Sequence, residues 1–331
     1  MNRLVSLGEL LVDFTPAGMS AGGNPLFERN AGGGPANLAC AAARLGADVA
    51  FVGKVGDDVF GRALRDVLAD NGVDTAGLVL SRKYKTTLAF VHLDERGDRS
   101  FSFYRRNGAD TMLLPEDLPR DLLRAARVFF FSSVMMSEGP SRETGFLAAE
   151  EAKKAGATVA FDPNFRFNLW ESKAAAKECA LRALTLADMV KISEEELLFL
   201  TGEKDVETGS RRLAGEYALK VVLATLGPRG CVATAFSAGG VPCAQASIGG
   251  FPAATIDTTG AGDAFTGGFL ARLLARGGDL SIYAADPAAL LSDARFANAV
   301  GSLTTTRRGG IPALPTEEET ESYLREVAAI S

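Results

Sequence analysis

"DTTGAGDAF" (Asp257–Phe265) runs directly into "TGGFLARLLARGG" (residues 266–278), whose apolar residues recur at helical spacing. The small residues Gly260, Ala261 and Gly262 therefore open a helix. Backbone N–H groups there lack intrahelical partners, and the helix dipole is positive. Such a terminus attracts an anion. Asp263 falls in the first turn, where two readings are open. It could be a simple dipole partner, or a base that accepts a hydroxyl proton while backbone amides hold phosphoryl oxygens. The chain carries no GxxxxGK[ST] run, which excludes a P-loop, and no GxGxxG loop with H-R-D and D-F-G partners.

A second glycine-rich turn is "NAGGGPANLACAAARLG" (Asn30–Gly46). Gly32, Gly33 and Gly34 permit a tight turn and close approach of a ligand to the backbone. Pro35 is suited to the first helical turn. Asn37 then lies near the helix start, with an amide that can both donate to and accept from a polyhydroxyl ligand. Asp13 ends the apolar run "LVSLGELLVDF", where a carboxylate is costly unless hydrogen-bonded. Sugar hydroxyls or a backbone cap would both meet that need.

Between these turns, apolar β-branched runs alternate with helical patterns. "LVSLGELLVDF", "VAFVGKV", "RVFFFSSV", "TVAFDPN", "MVKIS" and "KVVLATLG" read as strands. Leu38, Ala42 and Leu45 make one helical face; Phe60, Leu64, Val67 and Leu68 make another. This alternation predicts an α/β fold, a mostly parallel sheet flanked by helices, with ligands at the carboxyl ends of the strands. "KTTLAFVHLDERGDRSFSFYR" (Lys85–Arg105) breaks the pattern as two strands around a turn at Glu95–Asp98. With a strand from "MSAGGNPLFERN", it would make a small β-lid from about residues 19–30 and 85–106; an ordinary edge hairpin is the alternative. No internal repeat or linker divides the 331 residues, so a single domain is expected.

Composition narrows the function. Net charge is −6 and no basic stripe with interleaved aromatics occurs, which argues against nucleic acid. No apolar run reaches the roughly 20 residues a bilayer span requires. The N-terminal run carries Glu9 and Asp13 and lacks a small-residue cleavage site, so it reads as a strand rather than a signal peptide. Cys40, Cys179, Cys231 and Cys243 show no metal spacing and sit among apolar residues, as buried thiols in a reducing cytoplasm would. The one histidine, His92, reads as a surface or sheet residue.

Together "DTTGAGD" and "GGGPAN" resemble the signatures of the ribokinase, or PfkB, family of carbohydrate kinases. "GELLVDF", "FVGKVGDDVFGR", "FYRRNGADTMLL", "FDPNFRFNLW" and "RRGGIPALPT" are most similar to its fructokinase members, so the resemblance covers nearly the whole chain. It implies a ribokinase-like fold and roles at matching positions. Asp263 would be the catalytic base, and Gly260, Ala261 and Gly262 the anion hole. Asp13, Gly33, Gly34 and Asn37 would hold the sugar, with Arg105 and Arg166 reaching the sugar or phosphate side. Thr225, Gly227 and Gly230 of "TLGPRG" would line ATP, together with Ser193, Glu196, Gly262 and Asn298. Asp257, Thr259 and backbone carbonyls of Thr304, Arg307 and Gly309 would bind potassium. Glu196 would meet Mg2+ through water. The sequence departs from the family pattern in two places. Ser193 stands where the N-x-x-E motif has Asn, and Ala313 replaces a Ser that can contribute to the cation loop.

The resemblance implies ATP- and Mg2+-dependent phosphorylation of fructose at its 6-hydroxyl, with 2-keto-3-deoxygluconate kinase or another sugar kinase of the family as the alternative. An inactive sugar-binding relative is the alternative of a different class. Cytoplasmic location, potassium activation and a homodimer formed through the β-lids are also expected; pairing two small sheets would cover their exposed edges.

Overall fold

The computed structural model describes residues 2–93 and 99–330. The turn expected at Glu95–Asp98 and the side chain of His92 lie outside the described residues. Among the described residues, thirteen strands run in chain order: β1 Arg3–Leu7, β2 Leu11–Met19, β3 Pro25–Gly32, β4 Asp48–Gly56, β5 Asp74–Ser81, β6 Leu88–Leu93, β7 Arg99–Tyr104, β8 Ala126–Ser132, β9 Thr158–Asp162, β10 Met189–Ser193, β11 Val221–Thr225, β12 Cys231–Ser237 and β13 Val241–Ile248.

Nine of them form the central sheet in the order β13-β12-β11-β10-β9-β8-β1-β4-β5. Pairing is parallel from β11 through β5, and antiparallel between β11, β12 and β13. Alternate residues feed two cores, one on each face. Val128 and Phe130 of β8 join one cluster, while Phe129 and Phe131 join the other. A sheet buried on both faces explains why these strands read as continuous apolar runs.

The run read as one strand, "LVSLGELLVDF", is two. Gly8 N–H still donates to the Val52 carbonyl at 3.1 Å, but Val12 N–H donates to the carbonyl of Thr87, just ahead of β6 in the other sheet, at 3.1 Å. The small sheet has the order β3-β2-β6-β7, so β2 joins the two stretches expected for the lid. Asp13 consequently lies on the lid, paired in register with Asn30, rather than at the end of a central strand. Phe14 and Phe90 stack at 4.8 Å on this sheet, and Phe27 and Tyr104 meet Phe90 edge-on.

The helix Ala261–Ala275 is buried on nearly every side from Ala264 to Leu274. It packs between the helices Gly34–Arg44 and Pro287–Thr304. Gly267 permits this closeness: a Cβ there would lie 2.7 Å from the Leu38 carbonyl oxygen. The helix therefore shows little polar face, and its N-terminus meets the first turn of Gly34–Arg44. The expected face of Phe60, Leu64, Val67 and Leu68 belongs to the helix Val59–Asp70, with Leu64 and Leu68 buried. Its N-cap, Asp58, accepts from Phe60 and Gly61 N–H at 3.1 and 2.8 Å. Three of the cysteines are buried as expected; Cys243 is exposed, because it falls on the outer face of the edge strand β13.

Candidate active site

The lid strand β3 enters the helix Gly34–Arg44 through Gly33, whose φ is 113°. A Cβ on Gly33 would collide with the Glu9 carbonyl, so a side chain is excluded by both backbone angle and space. Glu9 Oε1 then accepts Gly34 N–H at 2.8 Å. Burial pushes the Glu9 carboxyl up to about 8, against the pull of backbone N–H donors and Arg105. This fixed turn aims Asn37. Its Nδ2 donates to Asp263 Oδ2 at 2.9 Å. Its Oδ1 is buried with no hydrogen-bond partner among the described residues. A buried acceptor left in that state can take a donor such as a ligand hydroxyl.

Two further groups converge on the same point. The position a Cβ on Gly34 would take lies 2.7 Å from Asn164 Nδ2 and 3.1 Å from Asp263 Oδ1. Asp13 faces this cluster from the lid. Burial raises its carboxyl to about 6, Arg166 pulls it down and Asp263 pushes it up. A cavity of about 230 Å3 opens beside this cluster, lined by Asp13, Asn30, Asn37, Asp257, Thr259 and Arg308 among others.

A larger cavity of about 470 Å3 lies across the helix start, lined by Thr225, Gly227, Gly230, Gly262, Asn298 and Ser302 among others. Asn298 Nδ2 donates to the Gly249 carbonyl at 3.0 Å, which fixes its amide at this wall. The N-terminus of Ala261–Ala275 thus stands between the two cavities. Gly260 is its N-cap, at φ 75°. Ala261 N–H is not fully open, as the sequence alone suggested: it reaches back to the Thr258 carbonyl at 3.3 Å.

Asp257 ties the adjoining loops together. It accepts Thr259 N–H at 2.8 Å and Gly309 N–H at 3.0 Å. The Thr305 carbonyl accepts from Ile256 and Asp257 N–H at 2.8 and 3.1 Å. A carboxylate among loop carbonyls is a hard-oxygen donor set, which suits a cation such as potassium. Thr304 is buried with its hydroxyl on the Val300 carbonyl, and the Arg307 side chain pairs with Glu319, so either could serve a cation only through its backbone.

Other expected groups make contacts within the protein. Arg105 is buried at the lid base, bonded to Asp110 at 2.8 Å, Ser137 at 2.6 Å and the Val134 carbonyl at 2.9 Å. It lines neither cavity. Arg166 is exposed, bonded at 3.4 Å to the Phe165 carbonyl, with its charge acting on Asp13. Ser193 and Glu196 form a capping box: Ser193 Oγ accepts Glu196 N–H, and Glu196 accepts Ser193 N–H at 2.9 Å. The second Glu196 oxygen accepts Phe165 N–H at 2.8 Å, so a magnesium ion would meet this carboxylate through water.

Sequence reasoning missed Asn164, Lys191 and Asp162. Asn164 sits at φ 39°, a conformation that Asn tolerates better than most residues. The "DPN" run was its only signal. Lys191 and Asp162 form a buried ion pair at 3.1 Å. A lysine within an apolar strand such as "MVKIS" was the clue, since lysine is almost never buried unless paired.

The chain matches the model for the pfkB family of carbohydrate kinases over residues 1–317. It is 42% identical over 324 residues to probable fructokinase-4 of Arabidopsis thaliana, covering 97% of this chain and 96% of the relative. It is 43% identical over 318 residues to fructokinase-1 of Zea mays, covering 96% and 95%. Among solved structures, fructokinase with bound ATP from Xylella fastidiosa superposes with a TM-score of 0.90 at 35% identity, over 99% of both chains. A Vibrio cholerae fructokinase with fructose, ADP and potassium bound superposes with a TM-score of 0.84 at 35% identity, covering 97% of this chain and 98% of the other. The two cavities, the helix terminus between them and these full-length likenesses lead to one assignment: the chain belongs to the pfkB family of carbohydrate kinases.

Proposed function

We propose that the chain transfers the γ-phosphoryl group of ATP to the 6-hydroxyl of fructose, giving fructose 6-phosphate and ADP. The observation that carries this reading is the Asn37–Asp263 bond of 2.9 Å, which links the sugar-side turn to the helix terminus. Fructose would occupy the smaller cavity, held by Asp13, Asn37 and the Gly33–Gly34 backbone. ATP would occupy the larger one, with its phosphates at Gly260, Ala261 and Gly262. Asp263 accepts the hydroxyl proton as the oxygen attacks. The Xylella and Vibrio fructokinases support this assignment of ligands.

A 2-keto acid sugar is the competing substrate, because the same chemistry would serve it. Its carboxylate would need arginine. Of the two arginines expected to reach the sugar, Arg105 is committed to Asp110, Ser137 and Val134, which leaves Arg166; Arg308 also lines the smaller cavity, so the likeness to fructokinases, rather than a shortage of arginine, favours the neutral sugar. A spectrophotometric ADP-release assay with fructose and 2-keto-3-deoxygluconate tests the choice. Higher kcat/KM for the acid would overturn it.

Potassium would bind at Asp257 with carbonyls of Thr259, Thr304, Arg307 and Gly309, and order the anion-binding loop. Ala313 is buried and adds no side-chain oxygen. Mg2+ would arrive with ATP, since it keeps several waters and relies on one or two carboxylates plus phosphates. When bound it neutralises phosphate charge. The lid exposes Met19, Leu26, Phe27 and Tyr104, an apolar set that a second lid would cover in a homodimer. No described helix is long and apolar enough to cross a membrane. Three buried free thiols suit the reducing cytoplasm.

A further inference from the structure

We propose that the Lys191 ammonium is a further catalytic group, contacting the oxygens of the phosphoryl group as it passes between nucleotide and sugar. The inference rests on the kinase reading above. Lys191 lies near the carboxyl end of the parallel strand β10, where such sheets place their ligands. It is only 8% exposed. Its Nζ bonds to Asp162 Oδ2 at 3.1 Å, and Asp162 is 1% exposed.

The direction of the side chain matters most. Lys191 Nζ lies 3.1 Å from the position a Cβ on Gly262 would take. The ammonium therefore rests against the first turn of Ala261–Ala275, beside the backbone expected to hold the phosphoryl group. A side chain at residue 262 would come between them. An ammonium has three donors, and Asp162 takes one; no other hydrogen bond of Nζ occurs among the described residues. Glu196 and Asp263 also act on its charge, so the ammonium lies within electrostatic reach of both carboxylates.

Asp162 serves both ends of this arrangement. Its second oxygen accepts Asn164 N–H at 3.0 Å, so one carboxylate fixes the ammonium and the turn that presents Asn164 to the sugar side. In the transfer, the bond from the γ-phosphorus to the β–γ bridging oxygen breaks. The sugar O6 forms the new bond to phosphorus, and its proton passes to Asp263. ADP leaves with the electron pair of the broken bond. Lys191 keeps its protons and offsets negative charge on the phosphoryl oxygens; it donates no proton to product.

The alternative is that Lys191 only neutralises Asp162. The two roles separate in binding. ADP affinity is measured by calorimetry with and without fluoroaluminate, a mimic of the transferring group, in the presence of Mg2+ and fructose. Lys191→Met should weaken the fluoroaluminate complex by about 10²–10³, the usual loss for one such donor, and lower kcat similarly. ADP affinity without fluoroaluminate and fructose KM should stay near wild type. Lys191→Arg should recover part of the loss. Should Lys191→Met fail to fold, Asp162→Asn/Lys191→Met leaves no lone buried carboxylate and is compared with Asp162→Asn. Unchanged fluoroaluminate affinity in a folded variant overturns the proposal. Turnover of fructose by the wild type tests the kinase reading separately, since only the variant-to-wild-type ratio concerns Lys191.

Discussion

Replacing Asp263 by Asn changes one oxygen to an NH2 group and leaves the side-chain shape intact. The wild-type carboxylate accepts Asn37 Nδ2 at 2.9 Å through Oδ2. The amide oxygen of the introduced asparagine can take the same position, so the helix start and its contact with Gly34–Arg44 survive. Asn is also tolerated near a helix N-terminus. What is lost is the site that receives the sugar proton. Loss of a general base costs about 10²–10⁴ in rate, or roughly 3–5 kcal/mol in the barrier. The assay is kcat under saturating ATP and fructose, with melting temperature and ADP affinity measured on the same preparation. The expected variant is folded, binds ADP at least as well as wild type because a negative charge has gone, and turns over at least about 100-fold more slowly. A folded Asp263→Asn protein with near-normal kcat would refute the assignment, leaving Asp263 as a helix-start acid.

Asn37→Ala removes a hydrogen bond to a charged group, worth about 1.5–3 kcal/mol; fructose kcat/KM should fall roughly ten- to a hundredfold, with ATP KM little changed. Arg105→Ala leaves Asp110 buried without its ion pair, so thermal or urea denaturation should show a loss of about 3–5 kcal/mol; an unchanged stability with raised fructose KM would place Arg105 on the sugar instead. For Glu9, burial raises the folded carboxyl from 4.5 to about 8. The folded protein then holds a proton that the unfolded chain releases, so this residue lowers stability as pH rises from about 4.5 towards 8. Glu9→Gln can still accept Gly34 N–H but cannot titrate. Its melting temperature should gain on wild type steadily between about pH 5 and pH 8; a constant difference across that range contradicts the buried-carboxyl account.

Much of the fold is legible in the sequence because a sheet covered on both faces demands unbroken apolar strands. β8, β9, β10 and β11 show this directly. The division of "LVSLGELLVDF" is not legible, because both halves are apolar for different reasons. Val5 and Leu7 pack under the central sheet, whereas Leu11 and Val12 anchor the lid base. The antiparallel edge was also hidden: β13 alternates exposed and buried residues, a pattern shared by many surface hairpins. At the site, local chemistry was readable and direction was not. The glycines before Pro35 and the acid after Gly262 each declare themselves within a few residues. Whether Arg105 turns toward a ligand or toward Asp110 depends on Ser137 and Val134, about 30 residues away in the chain. Lys191 and Asp162 become a site only when β9 and β10 lie side by side.

The most direct test of the account is the identity of the product. Purified protein is incubated with ATP, Mg2+, potassium and fructose, and the phosphorylated sugar is assigned by phosphorus and carbon NMR. The account predicts ATP-dependent formation of fructose 6-phosphate with one ADP released per sugar, and loss of that product in Asp263→Asn. Phosphate on another hydroxyl, or no sugar phosphate from a folded protein that binds ATP and fructose, would contradict it.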